Sequence, residues 1–164
     1  MGYWAFVPNL LPPRISYNED LVCLLSEAHR LLGELSGTGR LLPNPYLLIA
    51  PYIRREAVLS SRIEGTQASL NDLFLFEAAR QEEPKKPDVR EVWNYVQAME
   101  RGIKRLKDLP ISIRLICEIH KILMEGVRGE NMTAGEIRRR QNWIGRPRCR
   151  VEEATYVPPP VEEM

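Results

Sequence analysis

An apolar stripe with helical spacing between residues 89 and 106 constrains the fold more than any other feature of the sequence. Its members recur at steps of three and four: Val89, Val92, Trp93, Val96, Met99, Ile103 and Leu106. A helix turns about 100° per residue, so these side chains share one face that must pack against other elements. Similar stripes lie between residues 21 and 35 and between residues 112 and 125. The sequence therefore predicts a mainly α-helical protein.

Glycine and proline set the expected ends of these elements. The first helix is predicted to end at Gly37 and Gly39, and a second to run from Pro51 in its first turn to Gly65. A third helix is predicted from Ser69 to Arg80, with Leu70, Leu73 and Phe74 facing inward. Residues 81–87 form a charged linker. The helix of the long stripe follows, and Asp88 would be its N-cap. Residues 141–144 and 154–157 form two short extended stretches, which predict the arms of a β-hairpin.

Charge and cysteine content exclude several classes of function. Lys and Arg total 23 against 22 Asp and Glu, a balance that argues against a helix-turn-helix nucleic-acid binder despite the basic run at residues 138–140. The three cysteines, at positions 23, 117 and 149, show no metal-ligand or disulfide spacing, which favours a reducing, cytoplasmic setting. No apolar run reaches the roughly 20 residues that span a bilayer, and no signal peptide is evident at the N-terminus.

One acidic residue stands out on the predicted second helix. Four positions share one narrow helical face, which begins apolar and ends in a hydroxyl and a carboxylate: Ile53, Ala57, Ser60 and Glu64. Glu64 lies in the last turn, where the helix dipole disfavours a negative charge by roughly 0.3–1 kcal/mol. An inward carboxylate there needs a cationic partner or serves another purpose. Glu56 lies on much the same arc, so a purely structural pairing with an Arg or Lys remains an alternative.

The string SSRIEGT resembles the inhibitory motif of Fic-family proteins, with Ser60, Glu64 and Gly65 at its defining positions. Its context, PNPYLLIAPYIRREAVLSSRIEGTQASL, is similar to the bacterial subgroup whose inhibitory helix precedes the Fic core. RLICEIHKILMEGVRGENMTAGEIRRRQNWIG resembles the first helix of that core and the Gly-x-x-Arg turn after it, here Gly135 and Arg138. ATYVPPPVEEM resembles the stretch beyond the core's flap. The likeness thus follows the family's order along almost the whole sequence.

The resemblance implies a Fic-like helical bundle with one small β-hairpin, the flap, and a core that is incomplete in this chain. Residues 1–87 would form the N-terminal region, with the inhibitory helix at about 51–65. Residues 88–164 would form the first part of the core, with the flap at about 141–157.

The family mostly transfers AMP from ATP to a hydroxyl of a target protein. Its catalytic motif, H-P-F-x-(D/E)-G-N-G-R-x-x-R, supplies the general base and a Mg²⁺ ligand and cradles the phosphates. That motif does not occur in these 164 residues, since neither His29 nor His120 begins it. The family places it after the equivalent of Met164. The resemblance implies ATP and Mg²⁺ in the complete protein. For this chain alone it implies no catalytic residue, no metal site, no tight cofactor binding and no activity.

Individual residues take roles from the resemblance. Glu64 would pair with the last arginine of the catalytic motif and keep the γ-phosphate of ATP from its reactive position, which makes it the nucleotide-proximal residue of this chain. Ser60 would steady Glu64 or its helix, and Gly65 would end the helix without crowding the nucleotide. The flap would dock the target by strand addition through Gln141, Asn142, Trp143, Ile144, Thr155, Tyr156 and Val157.

The expected partners are a target protein with a Ser, Thr or Tyr hydroxyl and, in some relatives, further copies of the same protein. No membrane partner is expected, and nucleic acid is not favoured. A non-catalytic alternative stays open: a helical module that binds a separate Fic chain in trans, as the antitoxins of split Fic systems do.

Overall fold

A computed structural model describes residues 2–79, 84, 86–129 and 131–163. These residues contain five α-helices: α1 (Glu19–Arg40), α2 (Tyr46–Ile63), α3 (Leu70–Ala78), α4 (Pro87–Arg105) and α5 (Ile113–Leu123). Two short 3₁₀ turns follow, at Val151–Glu153 and Val161–Glu163. The mainly α prediction is confirmed. Most of the predicted 81–87 linker, together with Arg80, lies outside the described residues.

The chain divides into two compact units. The helical unit comprises Ser36–Ile137, and the terminal unit comprises Met1–Leu35 with Arg138–Met164. The expected boundary between family regions, at residues 87 and 88, falls inside the helical unit and stays a prediction. None of the described helices has the length and apolarity needed to cross a membrane.

The core of the helical unit forms where α4 packs against α2 and α3. Its stripe is buried at Val89, Val92 and Val96, as the sequence predicts, whereas Ile103 is about half exposed. Eight buried residues make up the central cluster: Ile53, Ala57, Val58, Ala68, Leu73, Val89, Val92 and Val96. The tight fit of α2 against this face depends on Ala57, whose small side chain is fully buried.

Three predicted helix ends differ from the structure. The first helix continues through Gly37 and Gly39 to Arg40, since neither glycine adopts the left-handed conformation that would end it. The second begins at Tyr46 rather than at Pro51, and the Asn44 side chain accepts a hydrogen bond from its first N–H group at 3.1 Å. The N-cap of α4 is Lys86, with Pro87 in the first turn, and the Asp88 carboxylate instead accepts from the Gln67 N–H at 2.7 Å.

One predicted core residue of α3 was wrong. Leu73 is fully buried as expected, but Phe74 is 44% exposed. Phe76 takes the inward place, with its ring edge-on to that of Trp93 at a centroid distance of 5.9 Å. A nine-residue helix with six apolar side chains offers several possible inward faces, and only packing against α4 selects one.

The helix α3 begins with a reciprocal capping arrangement. The Asp72 N–H donates to the Ser69 hydroxyl, and the Asp72 carboxylate accepts from the Ser69 N–H at 2.9 Å and the Ser69 hydroxyl at 2.6 Å. Lys86 lies at 3.2 Å from the same carboxylate. Hydrogen bonds from Ser69, reinforced by Lys86, lower the pKa of Asp72 from 3.8 to about 2.

This depressed pKa predicts a specific acid dependence of stability. The ionised form of Asp72 is favoured by folding, so its contribution is complete above pH 3.8 and is lost as the pH falls towards 2. Asp72→Asn is expected to lower the free energy of unfolding near neutral pH, and the difference from wild type should become smaller as the pH falls from 3.8 to 2. Urea denaturation at a series of pH values measures this difference in unfolding free energy. For Ser69→Ala, the difference from wild type should become smaller over the same pH range. A difference in unfolding free energy that stayed constant down to pH 2 would contradict this account.

Candidate functional site

The second helix ends in a tight hydrogen-bonded turn. Glu64 is the C-cap of α2, the Gly65 N–H donates to Arg62 O at 3.0 Å, and the Thr66 N–H donates to Ser61 O at 3.1 Å. These two bonds define a Schellman motif, in which the residue after the cap must be left-handed. Gly65 has a φ of +96°. The glycine of the motif therefore fixes the backbone directly after the carboxylate.

The predicted face of α2 changes character along its length. It is buried at Ile53 and Ala57, half-buried at Ser60 and exposed at Glu64. Glu64 therefore lies beyond the core rather than inside it. Its side chain makes no hydrogen bond or ion pair with any residue that the structure describes. The cationic partner that its position at a helix C-terminus favours is not supplied by these residues.

No side-chain hydrogen bond joins Ser60 to Glu64. The Ser60 hydroxyl donates to the carboxylate of Glu56 at 2.6 Å, one turn earlier on α2. Of the two expected roles, support of Glu64 itself or of its helix, the observed bond fits the second. Glu56 is thus the acid on this face that has a structural partner, whereas Glu64 remains available to bind a cation.

Glu64 lines a cleft in the helical unit, which we call the Glu64 cleft. Its volume is about 640 Å³. The end of α2, the start of α4 and the end of α5 contribute its walls: Ser60, Ser61, Glu64, Thr66, Glu91, Tyr95, Leu123, Met124, Val127 and Arg128. The cleft is lined by apolar side chains together with hydroxyls, two carboxylates and one guanidinium. This composition suits a polar or charged group held against an apolar surface.

The second carboxylate of the cleft already has a partner. Arg128 forms a two-pronged pair with Glu91, with Nε at 2.9 Å and Nη2 at 3.3 Å from the two carboxylate oxygens. Hydrogen bonding to Glu91 raises the pKa of Arg128 above its usual value, so the guanidinium stays charged. Of the two carboxylates that line the cleft, Glu64 is the one without a partner among the described residues. Sequence analysis missed Glu91 and Arg128, because residues 37 positions apart carry no spacing pattern.

The turn after α5, which lines the cleft, is held in place by the buried amide of Asn94. Asn94 is only 4% exposed, and its Nδ2 donates to the carbonyl groups of Leu123 at 3.2 Å and Glu125 at 2.6 Å. These are carbonyl groups at the C-terminal end of α5, which lack partners within the helix. Asn94 thus holds the turn that carries Met124 and Val127. A polar residue beside an apolar stripe was the available signal for it in the sequence.

A second left-handed glycine anchors the segment after the cleft. Gly135 has a φ of +82°, and its N–H donates to Nδ1 of His120 at 2.9 Å. A Cβ at this position would lie 3.0 Å from the carbonyl oxygen of Cys117. The histidine side chain therefore acts here as a structural acceptor.

In the terminal unit, the flap residues pair less than a hairpin requires. Ile144 and Tyr156 form a single antiparallel bridge, with Ile144 N–H to Tyr156 O at 2.8 Å. The N–H groups of Thr155 and Tyr156 both donate to Ile144 O, at 2.8 and 3.1 Å. Two residues opposite one is the arrangement of a β-bulge, which interrupts a ladder. The predicted hairpin is thus not confirmed among the described residues.

Other flap residues support the bridge without extending it. Trp143 donates from Nε1 to the carbonyl of Cys149 at 3.2 Å, and Gln141 donates from Nε2 to Pro158 O at 3.1 Å. The Arg138 guanidinium donates to the carbonyl groups of Pro159 and Arg140. Asn142 accepts from the Gln141 side chain through its carbonyl. The two segments are therefore held together by three backbone hydrogen bonds at Ile144, and the side chains of Gln141 and Arg138 add bonds to the prolines that follow.

Comparison with known families identifies the chain. The family model described as the Fic/DOC family N-terminal region matches residues 22–104, just over half of the sequence. The match contains α2 with Glu64 and Gly65, together with the α4 wall of the cleft. The chain belongs to the Fic/DOC family, of which it carries the N-terminal region.

Within the described residues, no group of three acidic, histidine or cysteine side chains is arranged to hold a metal ion.

The turn at Gly65 provides a test of this geometry. The space around Gly65 is open, so the expected cost of Gly65→Ala, about 1 kcal/mol of unfolding free energy, comes only from its left-handed conformation. Gly37→Ala, inside α1 and also in open space, is the matched control and should stabilise by about 0.5–1 kcal/mol. Urea denaturation measures the change in unfolding free energy that each variant causes. We expect a decrease for Gly65→Ala and an increase for Gly37→Ala. An increase for Gly65→Ala would contradict the observed turn.

Proposed function

We propose that this chain is the autoinhibitory part of a protein adenylyltransferase, with Glu64 as the blocking carboxylate. The observation that carries the proposal is the unpaired charge of Glu64 on the rim of a cleft whose other acid, Glu91, is already bound to Arg128. The Schellman turn fixes the backbone at Glu64, and a carboxylate without a partner among the described residues can receive a cation. In the family that cation is the last arginine of the catalytic motif.

The inhibition follows from competition for one guanidinium group. A carboxylate and a phosphate oxygen both bind the planar donor pair of arginine, and only one can do so at a time. When Glu64 holds the arginine, the γ-phosphate of ATP loses its partner and the nucleotide cannot align for transfer to the target hydroxyl. When Glu64 moves away, ATP and Mg²⁺ take up the reactive arrangement. The chain itself contributes the inhibitor, and the catalytic motif contributes the base and the phosphate cradle.

The flap segments supply the proposed contact to the target. An extended target segment would add beside residues 141–144 or 154–157 through backbone hydrogen bonds, which brings a Ser, Thr or Tyr hydroxyl to the catalytic centre. The bulge at Thr155 and Tyr156 bends the segment and limits the length of such an addition. The reaction uses cytoplasmic ATP, consistent with three cysteines that are all free in the structure.

The test removes one charge at a time in a protein that joins this chain to the catalytic motif. Glu64→Gln keeps the shape of the side chain but replaces a charge-assisted pair with a weaker contact, so transfer of labelled AMP to target proteins should rise by about tenfold or more. Glu56→Gln is the matched control, since Glu56 lies on the same helix and, within the described part of the chain, bonds only Ser60. Its activity should equal that of wild type.

Two results would overturn the proposal. Equal AMP transfer by wild type and Glu64→Gln would remove Glu64 from inhibition. Activation by Glu56→Gln to the same extent would show that any loss of acid from α2 has this effect. A mixing experiment separates the two modes of action: if the isolated chain inhibits a separate Fic chain that carries the motif, and its Glu64→Gln variant does not, inhibition operates in trans.

A further inference from the structure

The N-terminal segment of the chain is attached to the flap. The backbone N–H of Phe6 donates to the carbonyl of Val157 at 2.9 Å. The Phe6 ring lies beside that of Tyr156, with centroids 6.4 Å apart and planes inclined by 40°. All three residues belong to the terminal unit. The contact joins two parts of the chain about 150 residues apart in sequence.

The hydrogen bond from Phe6 to Val157 lies on the edge of the flap that faces away from residues 141–144. The N–H and C=O groups of Tyr156 both pair with Ile144, so they face the segment 141–144. Backbone groups of successive residues in an extended segment point to opposite sides, and the Val157 carbonyl therefore points to the opposite, outer edge. Phe6 covers this outer edge. The arrangement of three neighbouring segments, around Ile144, Val157 and Phe6, is that of strand addition by an extended peptide.

Proline keeps this addition short. The next bonding positions in a ladder lie two residues away on each side. Pro8 and Pro159 stand at such positions, and neither has an N–H group to donate. The segment is thus held by one backbone hydrogen bond and one aromatic contact, an attachment weak enough to be exchanged. Trp4, by contrast, is 96% exposed and takes no part in it.

We propose that the segment around Phe6 is an internal occupant of the flap's outer edge, which must leave before an extended target segment can dock there. The inference rests on the proposed function of the flap. The partner that it defines is an extended peptide with a free N–H opposite the Val157 carbonyl and an aromatic side chain against Tyr156. Docking of such a peptide and binding of the N-terminal segment exclude each other, because the Val157 carbonyl has one outer partner at a time.

The experiment measures binding of a synthetic peptide of residues 2–10, GYWAFVPNL, to the full chain. In wild type, the attached segment competes at a millimolar effective concentration. Phe6→Pro in the chain removes both the N–H donor and the aromatic ring, which empties the edge. NMR titration that follows the Tyr156 and Val157 signals should show the peptide binding this variant at least about tenfold more tightly than wild type. Trp4→Ala is the matched chain control and should bind as wild type does.

A second peptide tests whether the edge itself is recognised. The same peptide with proline in place of Phe6 lacks the N–H group and should not shift the Val157 signals. Equal affinity of wild type and the Phe6→Pro chain, or binding by neither, overturns the inference. Binding by both peptides overturns it as well. The assay uses neither ATP nor AMP transfer, so its failure is distinct from failure of the Glu64 test, and each proposal can fall alone.

Discussion

The packing of α4 against α2 and α3 is the constraint on which the rest of the helical unit depends. Val92 and Val96 are fully buried there against Ala57 and Leu73, which are fully buried too. A close-packed contact of this kind leaves little freedom in how the helices cross. It therefore fixes where α2 ends relative to α4, and with it the position of Glu64 on the rim of the cleft.

Each charged residue of the cleft acquires its state from this framework. Glu91 extends from α4 and meets Arg128, which the buried amide of Asn94 helps to position by holding the end of α5. Glu64 follows the last residue of α2 and pairs with no cation among the residues that the structure describes. The difference between the two acids is one of placement, since both are glutamates on the rim of the same cleft. The cleft therefore holds one carboxylate that is paired with a guanidinium and one that has no partner among the described residues.

The predictions from sequence succeeded where a local rule operates and were wrong where several local solutions were possible. Helical periodicity located α4, and the start of α3 was predicted at Ser69, which is its N-cap, because both depend on residues within one or two turns. The start of α2 and the inward face of α3 were wrong. Proline is tolerated within α2, and α3 has more apolar side chains than its neighbours can cover. The predicted hairpin is not confirmed: residues 141–144 and 154–157 meet at one bridge with a bulge, and that arrangement depends on how the two segments meet.

The sequence by itself determined the helical class of the protein and the placing of a carboxylate and a glycine at the end of α2. It also determined the turn at Gly65, since a carboxylate followed by glycine at a helix end specifies the Schellman geometry through local backbone sterics. Only the tertiary structure decided which acid is neutralised, which amide supports α5 and which edge of the flap is occupied. The pairs Arg128 with Glu91, Asn94 with Glu125 and Phe6 with Val157 are each separated by more than 30 residues. Contacts over such distances arise from packing of the whole chain, for which no local spacing rule exists.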